Sequence, residues 1–205
     1  GTTRLANQPA GVVYRNEPLT VAAGDTFTLP PSVPFQLAAT ITVASMGTLA
    51  IPGGGQIETL DGPGSIRIDQ GGTFQLTSSA DDPLTIGQDE GSWAGVTVNG
   101  TLTGGYLTLN GGSLTLNADF GDLDGIVLQR APDPLTIAGS GNLTSLEFQS
   151  DAHGIVVSDG SGRLSGIVDS GGEVDVNFAY PALCDTWDVS GLRRADNGAL
   201  ETNCP

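Results

Sequence analysis

Three aspartates in one short stretch are the residues best suited to bind a metal ion. Asp119, Asp122 and Asp124 fall within six consecutive positions of the chain. Ca²⁺ takes about six to eight oxygen ligands, and carboxylates in a loop supply them. The stretch lacks the full spacing and the terminal Glu of an EF-hand, so a calcium site and a solvated acidic turn both stay open. The sequence requires no cofactor, and calcium is the one it suggests.

A single histidine is the candidate for acid–base catalysis. His153 follows Asp151 in a segment that resembles the G-H-G segment of polygalacturonase-type hydrolases. Inverting hydrolysis needs two carboxyls roughly 6.5–9.5 Å apart, and nothing in the sequence shows that Asp133 and Asp151 converge. The chain has no lysine and one histidine, which excludes Schiff-base, P-loop and multi-histidine metal chemistry. The sequence therefore favours a turn or partly buried histidine and predicts no catalytic residue.

Two tryptophans are candidates for stacking on sugar rings. Trp93 lies in the run Gly91-Ser92-Trp93-Ala94-Gly95, and Trp187 lies near the chain end. A large aromatic between glycines more often packs a bend against its neighbour. Both interpretations stay open.

Both cysteines lie in the last part of the chain. Cys184 and Cys204 are 20 residues apart, and two cysteines are too few for a structural zinc site. We predict a disulfide that ties the tail over the last coil of the fold, the alternative being two buried thiols. A disulfide implies an oxidising compartment, and the sequence thus predicts a secreted or cell-surface protein.

The charge of the chain limits its partners. The formal net charge is -16 and the isoelectric point is about 4.1. Such a surface repels nucleic acids and anionic membranes. No apolar run is long enough to span a bilayer. We expect no nucleic-acid partner and no membrane insertion, and a surface glycan, a protein or a second copy of the chain as the candidate partner.

A repeated apolar triplet indicates the elements that must position these residues. The triplets end at residues 21, 43, 68, 98, 116, 137, 157 and 176, the last being Val174-Asp175-Val176, with a mean step of about 22 residues. One such coil cannot bury its own apolar face, so coils must stack. We predict an all-β, right-handed parallel β-helix of about seven to eight coils over residues 19–179. Residues 1–18 and 180–205 are expected to cap its two ends.

Two alternatives accompany this prediction. An antiparallel β-sandwich is also built from short strands and turn signals. The middle residues of the triplets form the outward column Thr20, Thr42, Thr97, Thr115 and Thr136, which suggests a flat ice-binding face. A second column is incomplete, since it has Thr28 and Thr103 but also Ala50 and Gln75. Threonine is also a common residue of exposed strands.

Two motifs resemble secreted, pectin-lyase-like β-helix proteins of bacterial surfaces. They are the run Leu19-Thr20-Val21-Ala22-Ala23-Gly24-Asp25-Thr26-Phe27, followed later by Gly91-Ser92-Trp93-Ala94-Gly95-Val96, and the tail with Asp188, Gly191, Arg194, Asp196, Gly198, Ala199 and Glu201. The resemblance implies a β-helix in an extracellular setting. It leaves function open, because this superfamily mixes polysaccharide enzymes, adhesins and structural proteins. We expect a non-catalytic structural or adhesive module that can self-associate. The alternatives are a polysaccharide-binding or polysaccharide-cleaving protein and, further off, an ice-binding protein.

Overall fold

The apolar triplets stack into one parallel sheet, which we call wall 1. The computed structural model describes residues 1–6, 12–30, 33–60, 62–88, 93–149, 154–168, 176–196 and 200–204. In chain order, wall 1 contains β3 (Leu19–Val21), β6 (Ile41–Val43), β9 (Gly62–Ile68), β12 (Trp93–Val98), β15 (Leu114–Leu116), β17 (Leu135–Ile137), β19 (Ile155–Val157) and β21 (Val176–Phe178).

Two further sheets complete each coil. Wall 2 contains β1 (Thr2–Arg4), β4 (Thr26–Thr28), β7 (Thr48–Ile51), β10 (Thr73–Leu76) and β13 (Thr101–Thr103). Wall 3 contains β2 (Tyr14–Arg15), β5 (Phe35–Leu37), β8 (Gly55–Thr59), β11 (Leu84–Gly87), β14 (Gly105–Asn110), β16 (Gly121–Gln129), β18 (Gly141–Gln149), β20 (Gly162–Val168) and β22 (Trp187–Arg194). A short 3₁₀ helix spans Pro181–Asp185.

The pairings between these strands identify the fold. Every pairing between named strands of the described residues is parallel, and each strand pairs with the equivalent strand of the next coil. The chain is a parallel β-solenoid of about eight turns. The predicted parallel β-helix is confirmed, and the antiparallel sandwich is wrong because its strands would have to pair through hairpins.

Alternation of apolar and polar residues explains the core. Successive side chains of a strand point to opposite faces, so the first and last residues of each triplet point inward. The last residues form one buried column, namely Val21, Val43, Ile68, Val98, Leu116, Ile137, Val157 and Phe178. Each apolar side chain therefore lies over its counterpart in the adjoining coil, and burial of this column stabilises the stack.

The last strand of wall 1 differs from the predicted triplet. The strand is Val176–Phe178, in which Val176 pairs with Ile155 and Phe178 pairs with Val157. The predicted triplet ended at Val176 and is wrong by two residues. A shift of two preserves which side chains point inward, so the apolar alternation cannot distinguish the two registers.

The coils change shape along the solenoid. Wall 2 ends at β13, and the wall 3 strands then lengthen to nine residues in β16 and β18. Each long strand contains a residue with left-handed backbone near its centre, Gly125 with φ 65° in β16 and Ser145 with φ 53° in β18. The two bends lie in adjacent coils. At each bend a single long strand changes direction, whereas the earlier coils change direction through a loop between two strands.

The first and last segments of the chain add strands to the solenoid. Strand β1 pairs with the first coil of wall 2, and β2 pairs with the first coil of wall 3. The boundaries of the predicted caps, at residues 18 and 180, stay predictions. Cys184 in the 3₁₀ helix and Cys204 in the tail form a disulfide with 5.8 Å between their Cα atoms. The predicted disulfide is confirmed. No helix of the described residues is long and apolar enough to cross a bilayer.

The disulfide gives a first testable prediction. The double variant Cys184→Ser/Cys204→Ser should lose about 3 kcal/mol of unfolding free energy, because opening a loop of this length frees the unfolded chain. Urea denaturation followed by circular dichroism measures the loss. Wild-type protein under dithiothreitol should match the variant. Equal midpoints for oxidised and reduced wild type would contradict the prediction.

Candidate functional site

The aspartates of the predicted calcium site lie at the start of β16. Asp119 is in the preceding turn, where its Oδ1 accepts a hydrogen bond from the backbone N–H of Ser140 at 2.8 Å. Asp122 lies on the strand, and its Oδ1 accepts from Asn142 Nδ2 at 2.6 Å. Both bonds join one coil to the next. These carboxylates hold adjacent coils in register.

Asp124 lies two residues further along β16 and has the most hydrogen bonds of the three aspartates. Its carboxylate accepts from the Tyr106 hydroxyl at 2.8 Å and from the Thr144 hydroxyl at 3.0 Å. Hydrogen bonds from the side chains of Ser145 and Tyr106, and smaller ones from Thr144 and the backbone of Gly125, lower its pKa. The hydrogen bond between Tyr106 and Asp124 also raises the pKa of the Tyr106 hydroxyl. One carboxylate thus connects three successive strands of wall 3.

This geometry does not gather the three aspartates into one ligand set. Among the described residues, no group of three or more His, Cys, Asp or Glu side chains is placed to hold a metal ion. A Ca²⁺ ion would have to compete with donors of the neighbouring coils for the oxygens of Asp119, Asp122 and Asp124. The arrangement supports a structural role for these residues.

An exposed polar row crosses the last four strands of wall 3. It consists of Asp122, Asn142, Arg163 and Asp188, which are paired in register. Arg163 Nε lies 3.4 Å from Asp188 Oδ2. The pKa of Asp188 is lowered mainly by hydrogen bonds from the side chain and backbone of Ser190, and then by Arg163. The row was not predicted, although the repeated Gly-x-Leu at 121, 141 and 162 would have aligned its first three members.

The Trp93 ring packs inside the solenoid. Its side chain is 3% exposed, and its Nε1 donates to the carbonyl of Asn110 at 3.0 Å. The ring lies against Gly112, where an added Cβ would come within 2.4 Å of Cε2. Trp187 is 4% exposed. Stacking on a sugar needs an exposed ring face, and the structure instead supports the alternative that these tryptophans pack bends.

Arg130 forms a clamp that the sequence did not indicate. Its guanidinium donates to the carbonyl of Gln88 at 2.9 Å and to Asn110 Oδ1 at 2.6 Å. Gln88, Asn110 and Arg130 belong to three successive coils, which the clamp joins at one corner. No local motif marks it, because the partners are 42 and 20 residues away in sequence.

The residues of the hydrolase interpretation are only partly described. His153 and Asp151 lie outside the described residues. Asp133 is exposed, and its Oδ2 accepts a hydrogen bond from the Ser113 hydroxyl at 3.2 Å. The catalytic hypothesis for His153 therefore stays a prediction from sequence.

Threonine columns line two walls. In wall 1, Thr97, Thr115 and Thr136 are in register, while Arg67 separates them from Thr20 and Thr42. Wall 2 has a complete ladder that the sequence did not reveal, consisting of Thr2, Thr26, Thr48, Thr73 and Thr101. The incomplete column predicted from sequence is the other outward position of these strands, which contains Thr28, Ala50, Gln75 and Thr103.

No family model, curated protein or solved structure matches the chain. The resemblance to pectin-lyase-like proteins therefore depends on the motifs and on the parallel solenoid.

Asp124 should make stability depend on acid pH. A carboxyl with a lowered pKa in the folded state stabilises the fold above its unfolded pKa, and that contribution is lost as pH falls through the folded value. Asp124→Asn should be less stable than wild type at pH 7 and should lose less stability below about pH 4. Thermal melts from pH 7 to pH 2 measure both effects. The control Asp81→Asn, in an exposed turn, should follow wild type, and an identical slope for Asp124→Asn would refute the assignment.

The contact between Trp93 and Gly112 predicts coupled substitutions. Gly112→Ala should cost about 1–3 kcal/mol of unfolding free energy, because the added methyl overlaps the buried ring. In a Trp93→Leu background the same change should cost much less, since the smaller side chain leaves space. A double-mutant cycle in urea measures the coupling. Equal costs in both backgrounds would show that the ring is not responsible.

Proposed function

We propose that the chain is a non-catalytic structural or adhesive module of the extracellular space or the cell surface. The observation that carries the proposal is that its carboxylate and guanidinium side chains form hydrogen bonds between coils. The carboxylates of Asp119, Asp122 and Asp124 bond to neighbouring coils, as does the guanidinium of Arg130. Side chains held in this way stiffen the stack and are poorly placed to move protons.

The location outside the cytoplasm is supported by two features. The disulfide between Cys184 and Cys204 is typical of oxidising compartments. The tail motif that resembles surface β-helix proteins begins at Asp188 in β22, the strand that ends wall 3. We include membership of the pectin-lyase-like group in the proposal on these grounds.

An adhesive role fits a rigid wall with exposed polar rows. The row from Asp122 to Asp188 repeats once per coil at a spacing of about 4.8 Å. Alternating carboxylate, amide and guanidinium groups suit neutral sugars or a protein surface as partners. The net charge of -16 disfavours polyanions.

A polysaccharide panel tests the absence of catalysis. Purified protein should release no reducing ends and no unsaturated products from neutral or acidic polysaccharides, with or without added Ca²⁺. Glycan-array binding, measured in parallel, separates adhesion from cleavage. Turnover that disappears in His153→Ala would replace this proposal by the polysaccharide-cleaving alternative.

Calcium removal tests the role of the acidic loop. A ligand bound only to the folded state raises the melting temperature by mass action. Because the oxygens of Asp119, Asp122 and Asp124 already accept hydrogen bonds from the neighbouring coils, we expect the same melting temperature in EDTA and in millimolar Ca²⁺. A rise of several degrees with Ca²⁺, lost in Asp122→Asn, would instead establish a calcium site.

The wall 2 ladder favours a second candidate, the binding of ordered water at an ice surface. Five threonines stand in register there, at a spacing of about 4.8 Å. Arg4 and Gln75 occupy the neighbouring outward column and interrupt its flatness. Thermal hysteresis that is lost in Thr48→Lys and kept in Thr115→Lys would support this candidate, and normal freezing of the wild type would exclude it.

A further inference from the structure

At the carboxyl end of the solenoid, the outer edge of wall 1 is covered. Strand β21 is the last strand of wall 1, and the tail covers its outer edge. Val176 N–H donates to the carbonyl of Glu201 at 3.0 Å. The Asn203 side chain accepts from Phe178 N–H at 2.7 Å and donates to the Phe178 carbonyl at 2.9 Å. The disulfide between Cys184 and Cys204 then holds the tail in place.

At the amino end, the outer edge of wall 1 has no such cover in the part of the chain that the structure describes. Strand β3 is the first strand of wall 1, and no strand of the described residues pairs with its outer edge. Leu19 N–H donates to Thr40 on the inner side at 3.0 Å. The N–H of Thr20 therefore points to the open edge, because successive N–H groups of a strand point to opposite sides.

An apolar recess lies beside this edge. It has a volume of about 280 Å³, and its apolar lining includes Leu5, Tyr14, Leu19, Phe27 and Phe35. Val12 and Val13, next to the recess in sequence, are 45% and 43% exposed. An open strand edge beside exposed apolar side chains is a surface that pairs with another strand.

The distribution of charge identifies the occupant. Residues 1–57 carry two arginines and two acidic side chains, which leaves five arginines and 21 acidic side chains for the rest of the chain. Two copies can meet through their neutral amino ends without the repulsion that other faces would impose. A two-fold interface must also be self-complementary, and the rim of the recess carries both Arg15 and Glu17.

We infer that the amino end is the interface of a two-fold dimer of this chain. The outer edges of β3 and the apolar recesses of two copies cover one another, and Arg15 of each copy faces Glu17 of the other. The inference deepens the proposed structural function, since it names a second copy as a partner.

The size of the end face sets the expected affinity. A coil of about 22 residues at roughly 3.3 Å per residue encloses on the order of 400 Å². Two such faces bury less than the ~1,600 Å² of a standard stable interface. The dimer should therefore be reversible, with a dissociation constant in the micromolar range.

Sedimentation velocity between about 2 and 500 µM tests the dimer. Wild type should shift from monomer to dimer across this range. Val13→Asp should weaken association at least tenfold, because it places a charge beside the recess. Thr20→Pro should do the same by removing the outward N–H of β3. The matched control Ile167→Asp changes an exposed apolar residue on β20 in wall 3 and should leave association unchanged.

A charge exchange tests the two-fold arrangement. Arg15→Glu and Glu17→Arg should each weaken the dimer, and the double variant should restore it. A wild type that stays monomeric at 500 µM, equal losses in Val13→Asp and Ile167→Asp, or a double variant that is not restored would each overturn the inference. A monomer without polysaccharide turnover would leave the proposed function standing, whereas turnover by a dimer would overturn that function alone.

Discussion

Direct stacking of equivalent strands is the constraint on which this molecule depends. Parallel strands lie about 4.8 Å apart, so every residue of a coil meets its own counterpart above and below. Inward positions must then be apolar in coil after coil, as in the buried column from Val21 to Phe178. Close approach also selects residues at the bends. Gly112 lies under the Trp93 ring, where any Cβ would overlap it.

The same stacking determines what the outer surface can do. An outward polar side chain lies next to the equivalent side chain of the adjacent coil, so the two can bond to each other. Asp122 accepts a hydrogen bond from Asn142, and Arg163 forms an ion pair with Asp188. Asp124 accepts hydrogen bonds from hydroxyl groups of the preceding and the following coil. These contacts convert residues with catalytic potential into cross-links between coils. The surface that results is polar and cross-linked from coil to coil, and the proposed structural or adhesive role rests on it.

Features that recur in every coil could be predicted from sequence, and most contacts between individual side chains of different coils could not. The period-two alternation placed seven of the eight strands of wall 1, and the presence of only two cysteines predicted the disulfide. The eighth strand was placed two residues early because alternation is blind to such a shift. Arg130, Asn203 and the wall 2 threonines depend on register between segments about 20 or more residues apart. Because loop lengths vary from coil to coil, a local sequence pattern does not show which residues of two coils are paired.

The disulfide-anchored tail over β21 also gives the stack a mechanical polarity. Coils of a solenoid contact only their neighbours, so loss of structure travels along the axis from whichever terminus yields first. The cross-linked tail with the Asn203 side chain anchors one terminus. Under tension or transient fraying of the monomer, we expect the coils to separate in order from the amino end, which the disulfide does not anchor.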